Sequence, residues 1–308
     1  MLDPSLKNLL IETISQSIKT KEIDEIGKML SKGFDLNKLS GMPPNVTIAA
    51  RLSGTVLVEY MESKDRTGDL IKLIAELDNN MILGRTLSID GLDYFLQQLT
   101  LNDYVYDFRK RKVVPLKEDP HELPNWGALK DGKKYPITIM SLDIVSNSEL
   151  VKKYGAKTMK KVYINLWKYL KDQLSKYNGR IWSWAGDGGI LAFAFKNHIE
   201  RAVIFAFEVQ RTIFLFNMDP HNPIEDNIEL RIGIHTGKLV YHNDSGTIVS
   251  EVINLAAHLE KRAAEAGYIS ITVDVHKTLT PRYQKQFEKI GLFEGTDSYK
   301  TLSRLDNF

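Results

Sequence analysis

The chain has 308 residues, 43% of them hydrophobic, a formal net charge of +2 and no cysteine. That length accommodates two domains with real cores, the near-neutral balance points to neither a nucleic-acid nor an acidic-membrane partner, and the lack of cysteine excludes disulfides and thiolate metal sites. No apolar run approaches the ~18 residues that span a bilayer, and the amino terminus lacks a basic segment followed by an apolar one, so a soluble, cytoplasmic protein is expected.

Residues 1–114 read as a mainly α-helical domain. Leu6, Leu9, Leu10, Ile14 and Ile18 share one helical face, and Ile23, Ile26, Met29 and Leu30 continue it. Gly41-Met-Pro-Pro-Asn45 interrupts the pattern as a loop. Further helices are expected over 48–61, 65–77 and 90–99, followed by strands over 104–108 and 112–116 around a basic turn. Helices closed by a hairpin predict a winged-helix-like shape and a regulatory role. The run Arg109-Lys-Arg-Lys112 suits a nucleic-acid wing, but a short charge run at a hairpin tip is more often simply solvated. Pro115, Pro120, Pro124 and Gly127 mark 115–134 as a linker.

The rest, 135–308, reads as an α+β domain. Asp143 closes the apolar strand Pro136-Ile-Thr-Ile-Met-Ser-Leu-Asp143. Ser146 and Glu149 have the spacing of a capping box and open one long helix through Met159, Val162, Leu166, Leu170 and Leu174, which Asn178-Gly179 ends. A strand over 180–185, the turn Gly186-Asp187-Gly-Gly189, an apolar return strand over 190–195, a helix over 198–217 and a strand over 229–235 follow. Strand, helix, hairpin, helix, strand is the ferredoxin-like βαββαβ order. Its sheet sets the end of the first strand beside the hairpin turn, so Asp143 and Asp187 should meet. Either aspartate alone reads as a turn former. Together, on neighbouring strand ends, they can hold a pair of hard divalent cations against a triphosphate.

Four segments now stand in order: Asp143-Ile-Val, Gly186-Asp187-Gly, Arg231-Ile-Gly-Ile-His-Thr-Gly237 and Val252-Ile-Asn254-Leu-Ala-Ala257. They resemble the signature segments of class III nucleotidyl cyclases, the adenylate and guanylate cyclase catalytic domains, over roughly residues 135 to 303. The resemblance implies cyclisation of a nucleoside triphosphate with two Mg²⁺ or Mn²⁺ ions per site, held by Asp143, Asp187 and the Ile144 carbonyl. Backbone amides from Val145 to Glu149, through Ser146, Asn147 and Ser148, would cradle the phosphates at a helix amino terminus. Ser146 and Asn147 stand where glycine and phenylalanine are common. Asn254 would act on the transition state, and the family's arginine four residues later is His258 here. Lys261 and Arg262 follow within about 80° of Asn254 around the helix, so which of the three takes the arginine's role stays open. Glu294, before Gly295, replaces a second cation, the family's lysine. The family also implies a head-to-tail homodimer whose active sites are split between chains.

Where purine cyclases carry a base-reading lysine or glutamate, this chain has Ser183, between Trp182 and Trp184, and the partner position is Thr247. Bulky neighbours on a strand would narrow the pocket, although either tryptophan can equally belong to the core. Loss of the purine reader and of both usual cations resembles the divergent pyrimidine cyclases, uridylate and cytidylate, of bacterial antiphage signalling. This implies UTP or CTP as substrate, with UTP favoured, cyclic UMP and pyrophosphate as products, and a separate effector protein that the cyclic nucleotide activates. Two alternatives stand beside it: an adenylate or guanylate cyclase in signalling, and a catalytically inactive cyclase-like module that binds a nucleotide. His235, on a strand near the aspartates, is read as structural and not as a metal ligand.

Overall fold

The computed structural model describes residues 2–306, and the chain divides into two compact units, Met1–Leu129 and Lys130–Phe308. In the first unit, helices α1 (Pro4–Ser17), α2 (Thr20–Leu30), α3 (Leu36–Ser40), α4 (Ala50–Ser63), α5 (Thr67–Leu77) and α6 (Leu92–Thr100) are joined by two short hairpins. These are β1–β2 (Met81–Ile82, Arg85–Thr86) and β3–β4 (Tyr104–Asp107, Lys112–Pro115). Asp3 starts α1 by accepting from the Ser5 and Leu6 amides at 2.8 and 3.2 Å, with Pro4 in the first turn. Leu10, Ile14, Ile23, Ile26, Leu57 and Met61 form the buried interior, whereas Met29 is exposed, so the apolar stripe of α2 stops short of it.

The hairpin β1–β2 carries no periodic signal in so short a span, yet its Arg85 forks onto Glu22 of α2 at 2.7 and 2.8 Å. That hydrogen-bonded guanidinium holds the Glu22 carboxyl below the usual glutamate range. The stretch 115–129, expected to be a bare connection, instead packs into the first unit, with Trp126, Ala128 and Leu129 buried. Gly127 makes this possible: at φ +70 it presses against Thr100, whose Oγ1 would lie 2.2 Å from an added Cβ.

The second unit is built on a seven-stranded sheet in the order β10-β11-β9-β8-β5-β7-β6. Its strands are β5 (Lys134–Ile144), β6 (Gly179–Ala185), β7 (Gly188–Ala194), β8 (Leu230–Val240), β9 (Ile269–Thr272), β10 (Phe287–Phe293) and β11 (Thr296–Thr301). β5 pairs antiparallel with β7 and β8, and β6 with β7, which gives the expected βαββαβ connectivity with α7 (Asn147–Tyr154), α8 (Ala156–Leu174) and α9 (His198–Asn217). Central β5 is buried on both faces. Met140, Leu142 and Ile144 meet Met159, Val162 and Leu166 of α8 in the main core, and Ile137 and Ile139 are buried on the other face.

That other face receives α10 (Glu251–Ala263), the crossover from β8 to parallel β9. Its close seat explains the glycines of Arg231-Ile-Gly-Ile-His-Thr-Gly237. A Cβ on Gly233 would come 2.4 Å from the Glu260 amide nitrogen, and one on Gly237 2.7 Å from a Val252 methyl. Short α11 (Val273–His276) and α12 (Pro281–Gln284) lead into the β10–β11 hairpin.

Two expectations need correction. The single long helix is two, α7 and α8, because Gly155 takes φ +81, ψ +149, a backbone region essentially reserved for glycine. The capping box is not made either. Ser146 heads α7 in a left-handed conformation (φ +52) with no side-chain cap, and the Glu149 amide turns to the Ser146 carbonyl at 2.9 Å.

Candidate active site

The antiparallel ladder between β5 and β7 places Asp143 opposite Gly188, the residue after Asp187, and the Ile144 amide donates to the Asp187 carbonyl at 3.3 Å. The two aspartates thus meet as the strand order requires, although 44 positions separate them in the chain. Gly188 is what allows it. A Cβ there would sit 2.5 Å from the Leu142 carbonyl oxygen and 2.7 Å from Asp143 Oδ1. The preceding Gly186 supplies the turn at φ +66, and the Trp184 indole N–H donates to its carbonyl at 3.1 Å.

Burial and the nearby Asp187 charge push the Asp143 carboxyl above the usual aspartate range, against the opposite pull of Arg231. Arg231 faces Asp143 across the β5–β8 ladder and donates from Nη2 to Asp143 Oδ2 at 2.7 Å. Its Nε donates to Glu260 Oε1 on α10, and Glu260 Oε2 accepts from the Ser141 hydroxyl at 3.4 Å. Burial works against the charge on Arg231, but Glu260 and Asp143 hold it firmly protonated. Burial likewise raises the Glu260 carboxyl, with Arg231 opposing.

Sequence reasoning quoted Arg231 in a motif without a role and did not single out Glu260 or Ser141. The signal was present: Glu260 continues the buried stripe Val252, Ala256, Leu259, and a carboxylate in such a stripe demands a partner.

The fit to divalent cations rests on donor chemistry. Two half-buried carboxylates side by side, with Asp143 raised by burial and by the Asp187 charge, form an oxygen site that a hard cation relieves, and Mg²⁺ usually takes one or two carboxylates, keeping waters and substrate phosphates as its other ligands. Accordingly, among the described residues no group of three or more His, Cys, Asp or Glu is arranged to hold a metal by itself.

At the start of α7, the Val145 amide is not available to phosphate, since it donates to the Glu229 carbonyl at 2.9 Å, and the Glu149 amide is also committed. The Ser146, Asn147 and Ser148 amides stand at the open helix end. The Asn147 carboxamide accepts from the Tyr163 hydroxyl at 2.6 Å. Burial raises that phenol, and the charges of Asp187 and Asp143 add to the effect.

Ser183 is half-buried in β6, and the 3-10 turn Ser245–Thr247 lies against its neighbour: Ser245 Oγ donates to the Trp182 carbonyl at 2.9 Å. Thr247 itself is exposed and donates to Asp244. The tryptophans do not narrow a pocket together. A bulge between Ile181 and Ser183 shifts the β6–β7 register at Trp182, which is buried against Tyr241, whereas Trp184 packs on the main core.

On α10, Asn254 is exposed. His258 Nδ1 and Glu294 Oε1 are 2.9 Å apart, and Arg262 Nη1 donates to the same oxygen at 3.3 Å. Among the described residues no hydrogen bond or ion pair joins Asn254, His258 or Arg262 to either aspartate. His235 is 9% exposed with Nδ1 2.8 Å from Thr272 Oγ1, and burial lowers its pKa, which makes it a neutral interior histidine.

No helix among the described residues is long and apolar enough to cross a membrane. No curated protein matches the chain in sequence. The catalytic core of a rhodopsin-guanylyl cyclase with converted specificity, in complex with ATPαS, is similar in structure at 20% identity and TM-score 0.50, over 56% of this chain and 98% of that one. The guanylate cyclase domain of RhGC from Catenaria anguillulae, in complex with GTP, shares 19% identity at TM-score 0.48 over 56% and 99%. For the adenylyl cyclase CyaB from P. aeruginosa the values are 22% and 0.47, over 57% and 98%. The family profile of the adenylate and guanylate cyclase catalytic domain matches residues 129–301, more than half of the sequence, and with the aspartate pair and the strand order above it, the chain belongs to that family.

Proposed function

We propose that the protein is an active nucleotidyl cyclase that converts a pyrimidine nucleoside triphosphate, UTP in preference to CTP, to its 3′,5′-cyclic monophosphate and pyrophosphate. The observation that carries catalysis is the meeting of Asp143 and Asp187 at the β5–β7 strand ends. Cyclisation bends the substrate so that its 3′-hydroxyl attacks its own α-phosphorus in line, which requires positioning and neutralisation of charge more than covalent chemistry. Asp143 and Asp187, with the Ile144 carbonyl, would hold two divalent cations, Mg²⁺ or Mn²⁺. When bound, these supply charge neutralisation on the phosphates and acidify the attacking hydroxyl. The Ser146, Asn147 and Ser148 amides receive phosphate oxygens, with the Asn147 side chain fixed by Tyr163.

Asn254, His258 and Arg262 complete the site from a second copy of the chain, a reading supported by the absence, among the described residues, of any hydrogen bond or ion pair from them to the aspartates of their own chain. The pyrimidine reading rests on Ser183 and Thr247, whose short hydroxyl side chains replace a purine reader. The winged-helix-like, regulatory reading of the first unit, a cytoplasmic location and a separate cyclic-nucleotide-activated effector in antiphage defence belong to the same proposal.

One observation favours a second reading. Glu294 stands where a cation is usual and engages both His258 and Arg262, as suits an inactive nucleotide-binding module. Incubation with Mn²⁺ and each of the four nucleoside triphosphates separates these outcomes. Cyclic UMP or CMP formed at least about tenfold more efficiently in kcat/KM than the purine products, about 1.4 kcal/mol of discrimination, is expected. Best turnover of ATP or GTP would leave a purine cyclase, and no cyclic product at all would leave the inactive module. Asp143→Ala or Asp187→Ala should abolish the activity.

A further inference from the structure

Glu260 is a buried acidic residue of the second unit that the chemistry above does not use. It is 6% exposed, on the sheet-facing stripe of α10, and it reaches the sheet only because Gly233 opposite has no side chain. Both its oxygens are engaged, one by Arg231 Nε and one by the Ser141 hydroxyl. Arg231 is in turn bonded to Asp143. One guanidinium is therefore shared between a buried carboxylate and a carboxylate proposed to face metal.

Sharing changes what a cation meets at Asp143. With Glu260 present, three carboxylates against one guanidinium leave a formal charge of −2 around the site. Without it, Arg231 has Asp143 as its remaining ionic partner, the formal charge falls to −1, and a divalent cation must compete with an undivided guanidinium for the same oxygens. We propose that Glu260 is a charge-balancing and positioning residue of the metal site, which by engaging Arg231 keeps Asp143 available to a divalent cation. The proposal rests on the two-metal reading of Asp143 and Asp187. It assigns a part in metal affinity to the helix that carries Asn254, His258 and Arg262.

The test is Mn²⁺ binding to the nucleotide-free full-length protein, followed by loss of the free-Mn²⁺ electron paramagnetic resonance signal, with thermal melting as a check on folding. Local formal charge orders the variants: Arg231→Gln at −3, wild type and Arg231→Gln/Glu260→Gln at −2, Glu260→Gln at −1. Affinity should follow that order. Glu260→Gln should bind at least about tenfold more weakly than wild type, Glu260→Asp should recover part of the loss, and the double variant should return near wild type. If Glu260→Gln melts earlier but binds Mn²⁺ as wild type does, Glu260 only packs α10 and the proposal is overturned. A double variant as weak as Glu260→Gln overturns it too. Should Glu260→Gln fail to fold, the comparison of Arg231→Gln with the double variant decides, since equal affinity in those two excludes a charge effect. Wild-type binding that survives Asp143→Ala/Asp187→Ala would instead remove the two-metal reading, an outcome recognisable because it does not involve Glu260.

Discussion

At the scale of single residues, the site depends as much on missing side chains as on present ones. Gly188 faces Asp143 so closely that any Cβ would displace the carboxylate or the Leu142 carbonyl. Gly188→Ala is expected to keep the acidic pair in sequence yet lose it in geometry, with Mn²⁺ binding and cyclase activity reduced at least about a hundredfold. Activity within a few fold of wild type would show that the aspartates tolerate the movement. Asp143, Asp187 and the motif glycines were legible in the sequence because strand ends and Gly-Asp-Gly turns have local signatures. The Arg231–Glu260 pair was not, because its partners lie 29 positions apart and meet only once α10 folds back onto β8. Of the two readings open for Trp182 and Trp184, pocket wall or core, the residue pattern could not choose, because a bulge shifts register without leaving a mark in it.

At the scale of elements, α9 is tied to the sheet by its first residue. His198 Nδ1 lies 2.8 Å from Thr138 Oγ1 on β5, and Thr138 Oγ1 donates to Thr236 Oγ1 on β8 at 3.0 Å. Burial lowers the His198 pKa to about 4, with Arg201 adding to the effect, and an imidazolium would also oppose the positive end of the helix. An unfolded histidine titrates near ~6.5, so between that pH and about 4 the unfolded chain binds a proton that the native one refuses. The stability that neutral His198 preserves is therefore complete above pH ~6.5, declines as pH falls, and levels off below the folded value, a loss of at most about 3 kcal/mol. Urea titrations of wild type and His198→Gln from pH 7 to 4 should show this decline in the former and its absence in the latter. Parallel slopes in both would mean that other groups carry the acid sensitivity. The split of α7 from α8 belongs to this scale too. Apolar spacing ran through it unbroken, and only the backbone of Gly155 reveals the break.

At the scale of the whole molecule, each chain carries the aspartate pair on its sheet and Asn254, His258 and Arg262 on α10, with no hydrogen bond or ion pair between the two sets among the described residues. Two chains arranged head to tail would unite them twice, as closed two-fold assemblies do. Mixing Asp187→Ala with Asn254→Ala chains, each inactive alone, should restore activity. With free exchange at equal amounts, about half the dimers are mixed and carry one intact site of two, so recovery near a quarter of wild type is expected. No recovery despite demonstrated exchange would place the whole site within one chain. The strand order that makes each half was readable from the succession of elements, whereas the seat of residues 115–129 in the first unit was not. Prolines there resemble punctuation, and the buried Trp126 gives no periodic signal by itself.

The bulge at Trp182 has a consequence for how such a sequence can change over time. From Ser183 to the turn, β6 and β7 run in unbroken register: Ser183 against Ile190, Trp184 against Gly189, Ala185 against Gly188. Upstream of Trp182 the ladder restarts, so a residue gained or lost there can be absorbed where the strand already bulges. The proposed base-reading position, Ser183, and the second aspartate are therefore fixed to one short ruler. Mutation can rewrite the letter at Ser183 while its distance to Asp187 is inherited unchanged, so if Ser183 reads the base as proposed, substrate preference is free to drift on a frame that does not.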